Sequence, residues 1–129
     1  MAARILYLDT NILIYLLERH ESYSAKVAED LEAYTKTGLL GTSTITITEF
    51  LAGTVSSNLS TIRKIPKLSF LTLDEVLAEN AALLQRKTRL QIGDAIHLAT
   101  AMQLQAECFF TNDKQLAKVA QAYLPVKSL

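Results

Sequence analysis

Short apolar runs alternate along this chain with longer segments whose apolar residues recur at helical spacing. The first run, residues 4–8, leads directly into Asp9, and residues 11–19 follow with a helical pattern. Repeated strand and helix units favour a parallel sheet that is covered by helices on both faces. We therefore predict an α/β fold: a three-layer α/β/α sandwich with a mostly parallel central sheet.

The apolar runs and their flanking residues set the expected element boundaries. Strands are expected at 4–8, 39–42, 70–73 and 108–111, with a last edge strand near Val126. Helices are expected at 11–19, from Ser24 to a stop at Gly38, at 45–55, 74–87 and 93–104, and from Asp113 to about Ala122. Residues 56–67 are expected to form a short helix or a loop.

The segment from Ser43 to Thr48 alternates threonine with isoleucine, which taken alone is a strand pattern. We nevertheless predict a helix here. Thr44 is a plausible N-cap, and the apolar residues from Ile45 to Val55 can be arranged along one helical side.

Four acidic residues lie at or near the ends of predicted elements: Asp9, Glu49, Asp94 and Asp113. The carboxyl ends of parallel strands form the edge at which α/β sheets bind ligands. If the four acids meet there, they repel one another unless a cation or protons intervene. Mg²⁺ and Mn²⁺ prefer such hard oxygen ligands, so a divalent metal site is the simplest interpretation.

Each acid also has an ordinary explanation. An aspartate after a strand often caps a helix, which could explain Asp94 or Asp113, and Glu49 alone is typical of a solvated helix residue. Asp9 is harder to explain in this way, because Thr10 or Asn11 could cap the first helix without it.

The bulk composition fits one compact domain spanning residues 1–129 and gives no global sign of a polyanion-binding protein. Thirteen basic residues balance thirteen acidic ones; setting the four clustered acids aside leaves nine acidic, a mild basic excess. Cys108 is the only cysteine, so no disulfide can form within the chain. No apolar run approaches the roughly 18 residues of a membrane span, and no secretory segment is recognisable, so we expect a cytoplasmic protein.

In this order and these surroundings, the acids resemble the four motifs of the PIN domain family. The similarity covers nearly the whole chain and is strongest for the small prokaryotic members that include the VapC-type toxins. The matching runs are Leu8-Asp9-Thr10-Asn11, Thr48-Glu49-Phe50, Gly93-Asp94-Ala95 with Ala99-Thr100-Ala101, and Thr111-Asn112-Asp113.

The resemblance implies a metal-dependent endoribonuclease that hydrolyses RNA phosphodiester bonds with Mg²⁺ or Mn²⁺. Asp9, Asp94 and Asp113 would bind the metal. Glu49 would act through a water molecule or as an acid just outside the direct metal ligands. Thr10, Asn11, Thr111 and Asn112 match polar positions that orient carboxylates or contact substrate phosphate. The resemblance further implies a small antitoxin protein as partner, and a homodimer.

Two basic groups could contact the RNA backbone. Arg86, Lys87 and Arg89 lead directly into the Asp94 segment, so we assign them to substrate binding and expect their neutralisation to weaken RNA binding and its salt dependence. The group around Pro66, formed by Arg63, Lys64 and Lys67, is interpreted as solvated charge. His97 is interpreted as a packing or surface residue, since a hard-cation site does not require imidazole.

Other functions remain open. Haloacid-dehalogenase-like phosphatases also use an aspartate after the first strand, but they need a second aspartate two residues later, where this chain has Asn11. A PIN nuclease that is not a toxin, or a catalytically silent PIN-like binding module, would keep the fold. Retention of all four acids favours catalysis.

Overall fold

The structure is a computed structural model, and it describes residues 3–54 and 58–129. Five parallel strands form one sheet in the order β3-β2-β1-β4-β5, so the first strand lies at its centre. The strands are β1 Ile5–Leu8, β2 Leu39–Ser43, β3 Leu68–Leu71, β4 Cys108–Phe110 and β5 Val126–Lys127.

Helices connect the strands. They are α1 Thr10–Leu17, α2 Ser24–Thr35, α3 Ile45–Gly53, α4 Leu59–Arg63, α5 Glu75–Thr88, α6 Ile92–Gln103 and α7 Lys114–Ala120. Residues 59–63 of the uncertain segment 56–67 are therefore helical, and Val55 to Ser57 lie outside the described residues. Among the helices of the described ranges, none combines the length and the apolar character that crossing a membrane requires.

The two faces of the sheet carry separate apolar clusters. Tyr7 and Phe109 point to one face, where they pack with residues of α5, α6 and α7. Leu6, Leu8 and Phe110 point to the other, where residues of α1 and α2 cover them. Alternate residues of the same strands are thus buried on opposite sides, as a parallel sheet inside two helical layers requires. The predicted three-layer α/β/α sandwich is confirmed.

The segment with alternating threonine and isoleucine is helical, as predicted, because α3 buries Thr46 and Phe50. Thr44 is the N-cap residue, as predicted, but its side chain makes no capping hydrogen bond. Its hydroxyl accepts from Leu73 N instead, and the Ser43 hydroxyl accepts from Ile45 N.

The third strand begins and ends two residues earlier than the apolar pattern predicted. β3 pairs residue by residue with β2, from Leu40 opposite Leu68 to Ser43 opposite Leu71. Beyond Leu71 the chain turns into Asp74, whose carboxylate caps α5 by accepting from Leu77 N. Pairing with the neighbouring strand, and not local hydrophobicity, therefore sets this boundary.

Candidate active site

The four acids lie at the carboxyl edge of the sheet. Asp9 is the first residue after β1, Glu49 lies in the helix after β2, and Asp113 follows β4. Asp94 reaches the same place from the first turn of α6. Burial raises the pKa of Asp94 to about 6, and the charges of Asp9 and Asp113 add to the increase. Asp94 therefore lies near enough to Asp9 and to Asp113 for their charges to disfavour its own.

Asp9 is buried and held from two sides. Its Oδ1 accepts a hydrogen bond of 2.8 Å from Thr10 N, and its Oδ2 accepts one of 2.8 Å from the Thr111 hydroxyl. Burial raises the pKa of the Asp9 carboxyl, whereas the hydrogen bond from Thr111 acts in the opposite direction. Asp9 is also the N-cap of α1, so the expectation that it is not needed as a cap was wrong.

Of the other two aspartates, one caps a helix and the other does not. Asp113 caps α7, where its Oδ1 accepts from Gln115 N and Leu116 N. Asp94 is not a cap, because Gln91 occupies that position in α6. Within the described ranges, no group donates a hydrogen bond to the Asp94 carboxylate. Helix capping therefore explains the position of Asp113 but not that of Asp94.

Glu49 and His97 form a hydrogen-bonded pair beside Asp9. Glu49 Oε1 lies 2.7 Å from His97 Nε2 and accepts a 2.7 Å hydrogen bond from the Thr10 hydroxyl. The hydrogen bond from His97 is the main cause that lowers the pKa of Glu49. Glu49 is therefore not simply a solvated helix residue.

The interpretation of His97 as a packing or surface residue missed this contact. The side chain is 1% exposed, and its Nε2 lies 3.7 Å from Asp9 Oδ1. Its position one turn after Asp94 was the available signal. A hard-cation site does not require imidazole as a ligand, but a carboxylate of such a site can accept a hydrogen bond from an imidazole, as Glu49 does from His97.

The polar residues assigned to substrate binding divide by exposure. Thr10 and Thr111 are buried against carboxylates, so of the two roles that the resemblance implies they fit the orienting one. Asn11 is exposed on the first turn of α1. Asn112 is partly buried and donates a 3.4 Å hydrogen bond to the Tyr15 hydroxyl.

A polar cavity of about 300 Å³ opens beside the acids. Its lining residues are Arg89, Leu90, Gln91, Asp94, Asp113 and Gln115. Arg89 is the positively charged residue in this lining. It is the C-cap of α5, where it adopts a left-handed backbone conformation with φ 63°.

Lys87 and Arg86 do not line this cavity. The Lys87 ammonium lies 6.0 Å from the centre of the Tyr123 ring, beside a more apolar cavity of about 470 Å³ that contains none of the four acids. Lys67 precedes β3, where its carbonyl accepts from Leu40 N, so the Pro66 group lies at the amino edge of the sheet. Of the three basic residues predicted to contact the RNA backbone, Arg89 alone lines the cavity beside the acids.

The acids match a hard divalent cation in donor type and charge, but they do not form a closed cage. Across residues 3–54 and 58–129, no group of three or more Asp, Glu, His or Cys side chains is arranged to hold an ion by itself. Mg²⁺ usually takes one or two carboxylates directly and keeps several waters. Acids that do not enclose an ion by themselves therefore fit one that keeps part of its water shell.

Comparison with known proteins agrees with this fold. No curated protein sequence matches the chain. Among solved structures, the chain resembles VapBC2 from Rickettsia felis bound to a promoter DNA fragment, with a TM-score of 0.75, 17% identity, and coverage of 96% of this chain and 98% of that one. It also resembles VapC20 from Mycobacterium tuberculosis, a toxin that cleaves the Sarcin-Ricin loop, with a TM-score of 0.69, 17% identity, and coverage of 92% and 95%.

A third similar structure has a higher sequence identity. It is a toxin-antitoxin complex from Klebsiella pneumoniae, with a TM-score of 0.68, 28% identity, and coverage of 87% of this chain and 90% of that one. The sequence model of the PIN domain matches residues 6–122 and so includes all four acids. The chain belongs to the PIN domain family.

Proposed function

We propose that this protein is a divalent-metal-dependent endoribonuclease and the toxin of a toxin-antitoxin pair. The observation that carries the proposal is the group of aspartates at one sheet edge, where the charges of Asp9 and Asp113 help to raise the pKa of Asp94 to about 6. A fold that serves only as a scaffold gains nothing from carboxylates that destabilise one another.

Asp9, Asp94 and Asp113 would hold Mg²⁺ or Mn²⁺, with Glu49 beside them. The ion would supply a more acidic bound water and stabilise the negative charge that develops on phosphorus and on the departing oxygen. The protein's own groups prepare this site. Thr10 N and the Thr111 hydroxyl fix both oxygens of Asp9, while Asp94 and Asp113 face the cavity in which a phosphodiester has room.

The toxin role is supported by what the similar structures are. Two of the three are described as VapBC2 and a toxin-antitoxin complex, and VapC20 is described as cleaving the Sarcin-Ricin loop. We infer that a small antitoxin protein binds this chain and that RNA is its substrate. Homodimerisation and a cytoplasmic location remain predictions, as does the alternative of a PIN nuclease without a toxin role.

Metal dependence is the direct test. We expect the purified protein to cleave total cellular RNA with Mg²⁺ or Mn²⁺, to lose that activity in EDTA, and to regain it when the metal is restored. Sequencing of the new RNA ends measures cleavage and its position. A DNA of the same base sequence is the matched control. Cleavage that persists in EDTA would exclude the metal mechanism, and RNA binding without cleavage in any metal would indicate the silent binding module.

The position of Arg89 gives a second prediction. Arg89→Gln should weaken RNA binding and reduce the slope of log affinity against log salt by about one, because one phosphate contact is lost. Lys87→Gln is the matched control: it removes the same charge two residues away, outside the acid cavity. Equal salt slopes for the two variants would contradict the placement of the RNA backbone at Arg89.

A further inference from the structure

His97 is a fully buried polar side chain with hydrogen-bond partners at both ring nitrogens. Nδ1 lies 2.6 Å from the Tyr7 hydroxyl. Nε2 lies 2.7 Å from Glu49 Oε1 and 3.0 Å from the Thr10 hydroxyl. An apolar side chain would fill this place in α6 without the cost of burying two polar nitrogens. The contacts therefore call for an explanation beyond packing.

The partners determine which nitrogen carries the proton of a neutral ring. The carboxylate of Glu49 only accepts hydrogen bonds, so Nε2 has to donate. Nδ1 is then an acceptor, and the Tyr7 hydroxyl donates to it. Burial raises the pKa of Tyr7 well above its ordinary value, so this hydroxyl keeps the proton it donates. Stacking on Phe109, with ring centres 5.2 Å apart, holds the Tyr7 ring in place.

Glu49 lies at the end of this chain of donors and faces outward. Its side chain is 39% exposed, although Oε1 is bonded on the buried side. Its Oε2 lies against Gly93, where an added Cβ would come within 3.1 Å. Helix α6 therefore acts on Glu49 at two points: His97 binds one oxygen, and Gly93 leaves room for the other. Gly93 is also the residue before Asp94.

We propose that His97, oriented by Tyr7, is a positioning residue that holds Glu49 in its working orientation beside the aspartates. This inference rests on the proposed ribonuclease function and deepens it. It assigns His97 no contact with RNA or metal and no proton transfer. Its role is to supply the hydrogen bond that keeps a partly exposed glutamate from turning away from the site.

Two substitutions separate this role from packing. His97→Leu keeps an apolar side chain in the core and removes the donor, so kcat should fall by about 10- to 100-fold, as for the loss of other orienting partners, with KM changed less than about twofold. His97→Gln places an amide N–H near the position of Nε2 and should retain most of the activity. Equal losses in the two variants would overturn the proposal, because a packing defect does not depend on the donor.

A double-mutant cycle tests whether His97 acts through Glu49. In a Glu49→Gln background, His97→Leu should lower the rate by less than about twofold, since the group that it positions is already changed. The same loss in both backgrounds would show that His97 acts elsewhere. Thermal melting of each variant establishes that it is folded.

The hydrogen-bond arrangement has a readout that does not depend on activity. In the metal-free protein, ¹⁵N NMR of the His97 ring should show a one-bond N–H coupling at Nε2 and none at Nδ1, and Tyr7→Phe should weaken this preference. A proton on Nδ1 alone would overturn the proposal even if RNA is cleaved. Absence of cleavage by the wild type would instead remove the proposed function, and this inference with it.

Discussion

Asp9→Asn is expected to lower metal-dependent RNA cleavage by about a hundredfold or more while the protein stays folded. Asp9 is the carboxylate most deeply fixed in the site, with both oxygens bonded by Thr10 N and the Thr111 hydroxyl. Asparagine keeps one oxygen that can cap α1, and its amide can donate to the Thr111 hydroxyl. The substitution therefore removes the negative charge and one potential metal ligand without removing the cap.

The measurement is the initial rate of RNA cleavage at saturating Mg²⁺, with circular dichroism to establish the fold. Asp74→Asn is the matched control, because Asp74 also caps a helix, α5, by accepting a hydrogen bond from Leu77 N. Asp74 follows the edge strand β3, with β2 between that strand and β1. The control should cleave at the wild-type rate. Full activity of Asp9→Asn would remove Asp9 from the mechanism.

Much of this architecture could be predicted from local sequence, because the strands coincide largely with short apolar runs and the helices with apolar residues at helical spacing. The position of Asp9 after β1 follows from that pattern alone. Helix α3 was harder to predict, since its threonines and isoleucines alternate in the pattern that is typical of a strand. It could be recognised because Phe50 belongs to a helical apolar side, and that residue is fully buried.

Tertiary pairing supplies what the local pattern lacks. The ends of β3 follow its register with β2, which no local run of residues encodes. The contact between Glu49 and His97 joins two helices across 48 positions of sequence, so neither residue looks unusual in its own segment. In the same way, the three basic residues before Asp94 look equivalent in sequence. Their different directions depend on where α5 ends, which places Arg89 at the polar cavity and Lys87 over Tyr123.

Asp94→Asn is expected to abolish cleavage and yet stabilise the metal-free protein at neutral pH. The pKa of Asp94 is raised to about 6 in the folded state, chiefly by burial and then by Asp9 and Asp113. A raised folded-state pKa means that the folded state binds the proton more tightly than the unfolded chain. The stabilising contribution of the protonated form is complete below about pH 4, the pKa of an unperturbed aspartate, and is lost as the pH rises through about 6.

Asparagine imitates the protonated form at every pH, so the stability difference between the two proteins should grow from about pH 4 to about pH 6 and stay constant above that. At pH 7.5 in EDTA, Asp94→Asn should be more stable by about 1 kcal/mol, after allowance for solvent screening of a half-buried carboxyl. This corresponds to a Tm higher by about 3–5 °C for a domain of this size. At pH 3.5 the Tm difference should disappear. Calorimetry across this pH range measures both limits.

A metal should reverse the order of stability. If Mg²⁺ binds the folded wild type through its ionised aspartates, as proposed, it should raise the Tm of that protein, whereas Asp94→Asn would lack one of these ligands and should respond less. Glu75→Gln is the matched control, because Glu75 also lies in the first turn of a helix, α5, but away from the acid cluster. Loss of a negative charge there should leave Tm unchanged or slightly lower, in keeping with the helix dipole. If Asp94→Asn behaves like this control at pH 7.5, and Mg²⁺ stabilises both variants equally, repulsion among the aspartates is not what prepares this site for a cation.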